Sequence, residues 1–246
     1  MLSKIFEDGD RVVKEVTINL AGRHPSVFDK FLDCGPGNGK FTVELQCKLG
    51  MPSTFVADCQ PKRVYEALKR GWTSHICNLN EKIDFPDNYF DVIHAGQIIE
   101  HLSDTDTFMR EIHRTLKTGG YCLISTPNLA AWHNILWLML GRQPHVAMVS
   151  DEIIRWKIED EEVNEPKHRR IFTGPGLRML LEHHGFVVEQ MRGAGYYPFT
   201  GAVSRLLARV DKLHAAYIVI KARKSVVIMD EMPLYLEARK AKQGGD

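Results

Sequence analysis

Asp33-Cys34-Gly35-Pro36-Gly37-Asn38-Gly39 stands where an apolar β-type run ends and a helical pattern begins, and the spacing of its glycines decides the fold. Glycine permits positive φ and lets a ligand approach the backbone closely, so such a turn is a candidate nucleotide cradle. A phosphate loop of the G-x-x-x-x-G-K-[ST] type needs a glycine where Cys34 stands and a hydroxyl where Phe41 stands. A dinucleotide loop, G-x-G-x-x-G, needs its third glycine where Lys40 stands, at the position that packs helix on strand. What is present is an acidic residue, Asp33, with Gly35, Gly37 and Gly39 at every second position after it. Taken alone, the loop leaves open a tight strand-to-helix turn with no ligand.

Outward from the loop, β-type runs at 27–32, 54–57, 75–78, 89–95 and 121–125 alternate with helical patterns at 40–49, 61–70 and 104–116. Helix 177–184, capped by Thr173 and stopped by Gly185, leads to a strand at 186–190, and a last strand is read at 215–222. Lys117-Thr118-Gly119-Gly120 is read as a helix stop with a tight entry to the next strand. The alternation predicts a doubly wound, seven-stranded, mostly parallel α/β sheet with helices on both faces. After Pro127-Asn128 it breaks for about 45 residues, too long for an ordinary connection. We therefore expect one domain over 1–246 with a helical lid or substrate insertion at about 128–170. The run 226–229 is open between an added strand, a dimer contact and a docking element, so a homodimer is carried as an expectation.

The 246 residues, 44% of them apolar, suffice for one substantial core. With 32 basic against 31 acidic residues and a net charge of +1, the chain has no broad field for gripping a phosphate backbone, so nucleic acid is not the expected partner. The five cysteines, at 34, 47, 59, 77 and 122, make no C-x-x-C pair, which predicts reduced, buried thiols, a cytoplasmic location and no metal site. The N-terminal stretch acquires acidic residues too early for a secretory signal, and the apolar run at 135–140 is too short to cross a bilayer.

The loop resembles motif I of class I S-adenosylmethionine-dependent methyltransferases, in which the acidic residue acts near the cofactor's methionyl amino group. Two downstream features extend the likeness. Asp58 ends the second strand about twenty residues after the last glycine, where a carboxylate accepts hydrogen bonds from ribose hydroxyls. Phe85-Pro86-Asp87-Asn88-Tyr89-Phe90-Asp91-Val92-Ile93 resembles the family's F-P-D-x-x-F-D-x-[VI] segment, which feeds a buried strand. The resemblance implies S-adenosylmethionine as cofactor, held by Asp33, Gly35, Gly37, Gly39, Asp58, Asn78, Leu79 and Ala95. At position 78 the family commonly has an acidic residue facing the adenine amino group; Asn78 offers an amide oxygen instead.

Gln97-Ile98-Ile99-Glu100-His101-Leu102 follows the fourth strand and resembles the Glu-His-Leu segment of methyltransferases similar to the ubiquinone-biosynthesis O-methyltransferases. Methyl transfer from a sulfonium is an in-line displacement, and a base is needed only where the accepting atom carries a high-pKa proton. His101 is the candidate base and Glu100 its orienter or a ligand for substrate hydroxyls; equally, the two cap and pack the next helix. His94, inside the strand end, is read as structural or pocket-lining.

Pro127-Asn128 to Asn134, with Gly141-Arg142-Gln143-Pro144 after it, resembles an element of MetW-type proteins of methionine metabolism. Trp132 and Trp137 are candidate lid residues or packing residues, and His168 and Arg170 either meet an anionic or hydroxylated substrate or pair with the acidic stretch 160–165. The expected activity is methyl transfer to oxygen, less readily nitrogen, of a small metabolite; the second expectation is a partner protein that keeps the cofactor fold and regulates another enzyme.

Overall fold

Successive residues of the strand carrying the glycine loop face opposite sides, and both sides are covered. The computed structural model describes residues 2–22, 30–149 and 168–225. Strand β1 (Lys30–Cys34) sends Leu32 and Cys34 to one face and Phe31 and Asp33 to the other. Around it run α1 (Leu2–Ala21), α2 (Lys40–Leu49), β2 (Ser53–Asp58), α3 (Pro61–Lys69), β3 (Thr73–Ile76), β4 (Phe90–Gly96), a single 3-10 turn (Ile99–His101), α4 (Thr105–Thr115), β5 (Leu116–Pro127), α5 (Trp132–Met139), α6 (Gly174–His183), β6 (Phe186–Ala194), α7 (Gly201–Val210) and β7 (Tyr217–Lys224).

The seven strands lie in the order β3-β2-β1-β4-β5-β7-β6. The first five pair in parallel, and β7 enters antiparallel between β5 and β6. One face packs Leu32, Ile93, Ile124 and Ile220 against Phe108 and Ile112 of α4 and Leu177 and Leu181 of α6. The other packs Phe31, Val92 and Leu123 against Val12 and Val13 of α1 and Leu45 and Leu49 of α2. Each such large side chain taken fully out of water contributes roughly 1.5–3 kcal/mol, so the sheet is held from both sides.

Several sequence expectations need correction. Helices α1 and α7 were not among the expected elements, and α1 covers much of the second face. Residues 117–120 are no helix stop: β5 already begins at Leu116, and Gly119, at φ 79°, lies within an irregularity of the β4–β5 register. Strand β3 ends at Ile76, leaving Asn78 in the following turn. Cys34, Cys77 and Cys122 are buried, whereas Cys47 and Cys59 are exposed. The caps behave as expected: the Thr173 hydroxyl accepts from the Gly176 N–H, and Gly185 adopts φ 83°. Among the described residues no helix is long and apolar enough to cross a membrane. The stretches 151–165 and 226–229 lie outside the described residues.

Candidate active site

Strand order reverses at β1, whose helix and return strand lie to one side while β4 lies on the other, and ligands of doubly wound folds bind at the carboxyl end of such a switch point. The glycine loop sits there. Gly35, Gly37 and Gly39 have φ of 71°, 58° and 75°, a region in which side-chain-bearing residues are strained. A Cβ on Gly35 would lie 2.1 Å from Ile98 Cδ1, so the bare glycine lets the segment after β4 lie on the loop. Around Gly37 nothing stands within 4 Å of that position, which leaves the turn open to a ligand. Asn38 braces the turn, its Oδ1 accepting from the Lys40 N–H.

Asp33 is enclosed within the fold. Its side chain is 2% exposed; Oδ2 accepts from the Thr42 hydroxyl at 2.6 Å and Oδ1 lies 2.7 Å from His94 Nδ1. Both donors are themselves buried, Thr42 wholly and His94 at 5%. Asp58, at the end of β2, accepts at Oδ1 from the Gln60 N–H (2.8 Å) and at Oδ2 from Arg63 (3.2 Å). The Arg63 side chain is 32% exposed and can yield, so this carboxylate keeps lone pairs for ribose hydroxyls. Asn78 is exposed, with Oδ1 accepting from the Asn80 N–H and side-chain amide and Nδ2 donating to Glu81. Leu79 and Ala95 are buried.

The turn after β4 gathers the titratable groups. Gln97 adopts φ 54° and donates to Ser125 Oγ, closing the loop against β5. Glu100 is 2% exposed, and burial raises its carboxyl to about 7, although the Thr126 hydroxyl donates to it at 3.0 Å. His168 arrives from the far side of the insertion because the Arg169 and Arg170 N–H groups donate to the Glu100 carbonyl at 2.7 and 3.0 Å. Its ring centroid lies 5.0 Å from that of His101. One ligand atom from each of Glu100, His101 and His168 lies within 4.8 Å of the others. Such a set can move a proton or hold a divalent cation, a possibility the cysteine pattern did not suggest.

The other sequence candidates stand apart from this cluster. Arg170 is exposed and donates to the Ser103 carbonyl. Trp132 is 48% exposed; its indole N–H donates to Asp211 and its ring lies 4.6 Å from that of His214, so α5 leans on the connection between α7 and β7. Trp137 packs edge-on to His145. Sequence reasoning missed Thr126, Tyr197 and Tyr217. Tyr197 donates to the Tyr217 hydroxyl at 3.1 Å, and the ring of His133, which burial lowers to about 4, lies 5.1 Å from Tyr197. Gly9 of α1 admits the pair, since a Cβ there would lie 2.1 Å from the Tyr197 oxygen.

Comparison with known proteins follows the same lines. A family model described as "Methyltransferase domain" matches residues 6–191. The mitochondrial ubiquinone biosynthesis O-methyltransferase of Homo sapiens is 25% identical over 201 residues, covering 78% of this chain and 50% of the relative. A probable S-adenosylmethionine-dependent methyltransferase of Mycolicibacterium smegmatis is 28% identical over 191 residues, covering 74% and 62%. The chain spans about half the length of the ubiquinone-biosynthesis relatives it matches. Among solved structures, an S-adenosylmethionine-dependent methyltransferase from Mesorhizobium loti superposes with TM-score 0.57 at 17% identity, covering 87% of this chain and 99% of the other. The [4+2]-cyclase SpnF gives 0.57 at 20% identity, covering 87% and 82%, so the shared fold hosts more than one named reaction.

Proposed function

The chain belongs to the methyltransferase domain family, whose methyl donor is S-adenosylmethionine, and from that premise we propose that it methylates an oxygen atom of a small metabolite. The observation that carries the reading is the contact of Ile98 with Gly35, which sets the Glu100, His101 and His168 cluster beside the loop expected to hold the cofactor. The residues suit that cofactor: the space at Gly37 is open, and Asp58 stands at the neighbouring strand end. When bound, it supplies an electrophilic methyl group on a sulfonium.

The chain supplies position and a proton acceptor. His101 would take the proton of the acceptor hydroxyl, leaving that oxygen free to receive the methyl group the cofactor supplies. Glu100, fixed by Thr126, orients His101 and stabilises its charged form. His168, its ring 5.0 Å from that of His101, meets the substrate beside it. The relatives named as O-methyltransferases support oxygen as the accepting atom.

The test is release of S-adenosylhomocysteine when the protein meets a panel of phenols, catechols, alcohols and amines, with the product's methylated atom located by NMR. Methyl on oxygen, lost in His101→Ala, supports the reading; methyl on nitrogen or carbon, or turnover untouched by that change, overturns it. Dialysis against a chelator should leave turnover unchanged if the cluster moves protons. Loss restored by a divalent cation would reassign it.

A further inference from the structure

Within a sheet, neighbours in register on adjacent strands point to the same face, and Asp33 of β1 stands in register with His94 of β4. Their side chains meet there at 2.7 Å, Nδ1 of the imidazole donating to the carboxylate. Thr42 of α2 takes the second carboxylate oxygen, and the Phe41 ring meets the imidazole edge-on at 5.4 Å. Asp33 is thereby enclosed by two buried donors, one on each carboxylate oxygen, and the imidazole lies directly against it.

His94 carries that charge onward. With Nδ1 committed to Asp33, a neutral ring presents Nε2 as a lone-pair acceptor, its tautomer fixed by the carboxylate. Among the described residues nothing hydrogen-bonds to Nε2, and 7% of the side chain remains exposed. The free edge points toward the carboxyl end of β4: a Cβ on Gly96 would lie 2.7 Å from both Nε2 and Cε1, so the ring has its place only because residue 96 is glycine. One element further along, Gly35 supports Ile98. A buried, unpartnered acceptor, backed by a carboxylate and open to the ligand end of the sheet, is matched by a cationic donor.

We propose that His94 Nε2 accepts the hydrogen bond of the α-ammonium group of S-adenosylmethionine, with Asp33 as a positioning residue acting through His94. The proposal rests on the reading that this cofactor occupies the glycine loop. It assigns His94 a ligand-binding role and gives Asp33, which holds the imidazole, a role through His94.

The test compares S-adenosylhomocysteine with its analogue bearing hydrogen in place of the α-amino group, by calorimetry on the full chain. His94→Asn keeps a donor near the Nδ1 position for Asp33 and deletes Nε2. It should weaken S-adenosylhomocysteine by tenfold or more while changing the deaminated analogue less than twofold, because only a hydrogen bond to a charged group is lost. In the wild-type protein the ¹⁵N resonance of His94 Nε2 should report an unprotonated nitrogen and move on adding S-adenosylhomocysteine but not the analogue, a readout that needs no variant. Equal weakening of both ligands, or an Nε2 resonance indifferent to the amino group, overturns the proposal. If the wild-type chain binds neither ligand, the cofactor reading fails and the proposal falls with it.

Discussion

Glu100 has been taken out of water in the turn whose Ile98 lies on the glycine loop, and its titration ties stability to pH. Burial raises its carboxyl from 4.5 to about 7, so the folded state holds this proton more tightly than the unfolded chain. Its contribution to stability is therefore fully present below about 4.5 and lost as pH rises through about 7, a swing of about 3 kcal/mol. Glu100→Gln, which keeps the shape without the charge, should flatten this part of the dependence of melting temperature on pH between about 5 and 8; an unchanged slope would show that another group carries it. The same variant should lower kcat, because the ionised form that steadies a charged His101 is gone. Asp58 makes a second test at this scale: Asp58→Ala should weaken S-adenosylhomocysteine by about tenfold, through lost bonds to the ribose hydroxyls. Unchanged affinity would remove Asp58 from the site. Asp58 and the glycines were legible in the sequence because strand ends and turn chemistry are local. The fate of Asp33 was not, since His94 lies 61 positions away and meets it only across a strand pair.

At the scale of elements, Pro127-Asn128 to Asn134 shows how a motif can be visible while its work is not. The buried Asn128 side chain donates to the carbonyls of Leu213 and Ala215 and accepts from the Ala130 N–H, while Asn134 donates back to the Asn128 carbonyl. These bonds fasten the end of β5 to the chain entering β7 and set the angle at which α5 leaves the sheet. Asn128→Ala would leave the two carbonyls without these donors, at about 1–3 kcal/mol each, and should lower the denaturant midpoint markedly with little change in slope. Helix α2 was legible because its apolar residues recur at helical spacing, and in the structure glycines bracket it at both ends. Helix α1 was not, because Val12-Val13 and Val16-Thr17-Ile18 have the composition of a strand; their helical order shows only once Val12, Val13 and Leu20 are seen to bury one face. Helix α7 was obscured differently: Val203, Leu206 and Val210 are exposed, so its apolar residues do not mark the face that packs.

Across the whole molecule, the sheet order β3-β2-β1-β4-β5-β7-β6 collects at one edge what the chain spreads over about ninety residues. The loop after β1, Asp58 after β2, the turn after β4 and Thr126 near the end of β5 all open on that edge. A ligand seated there would touch several strands at once, and because the unfolded chain has no such edge, binding must stabilise the fold as a unit. At a concentration a hundred times its dissociation constant, S-adenosylhomocysteine should add about 2.7 kcal/mol. For a domain of this size that corresponds to a rise in melting temperature of about 5–10 °C. NAD should give no rise, because the dinucleotide glycine that Lys40 replaces is the one that packs helix on strand. The two measurements separate what a shared α/β architecture cannot. A shift with NAD and none with S-adenosylhomocysteine would keep every strand where it is and still remove the methyl donor from the edge they build.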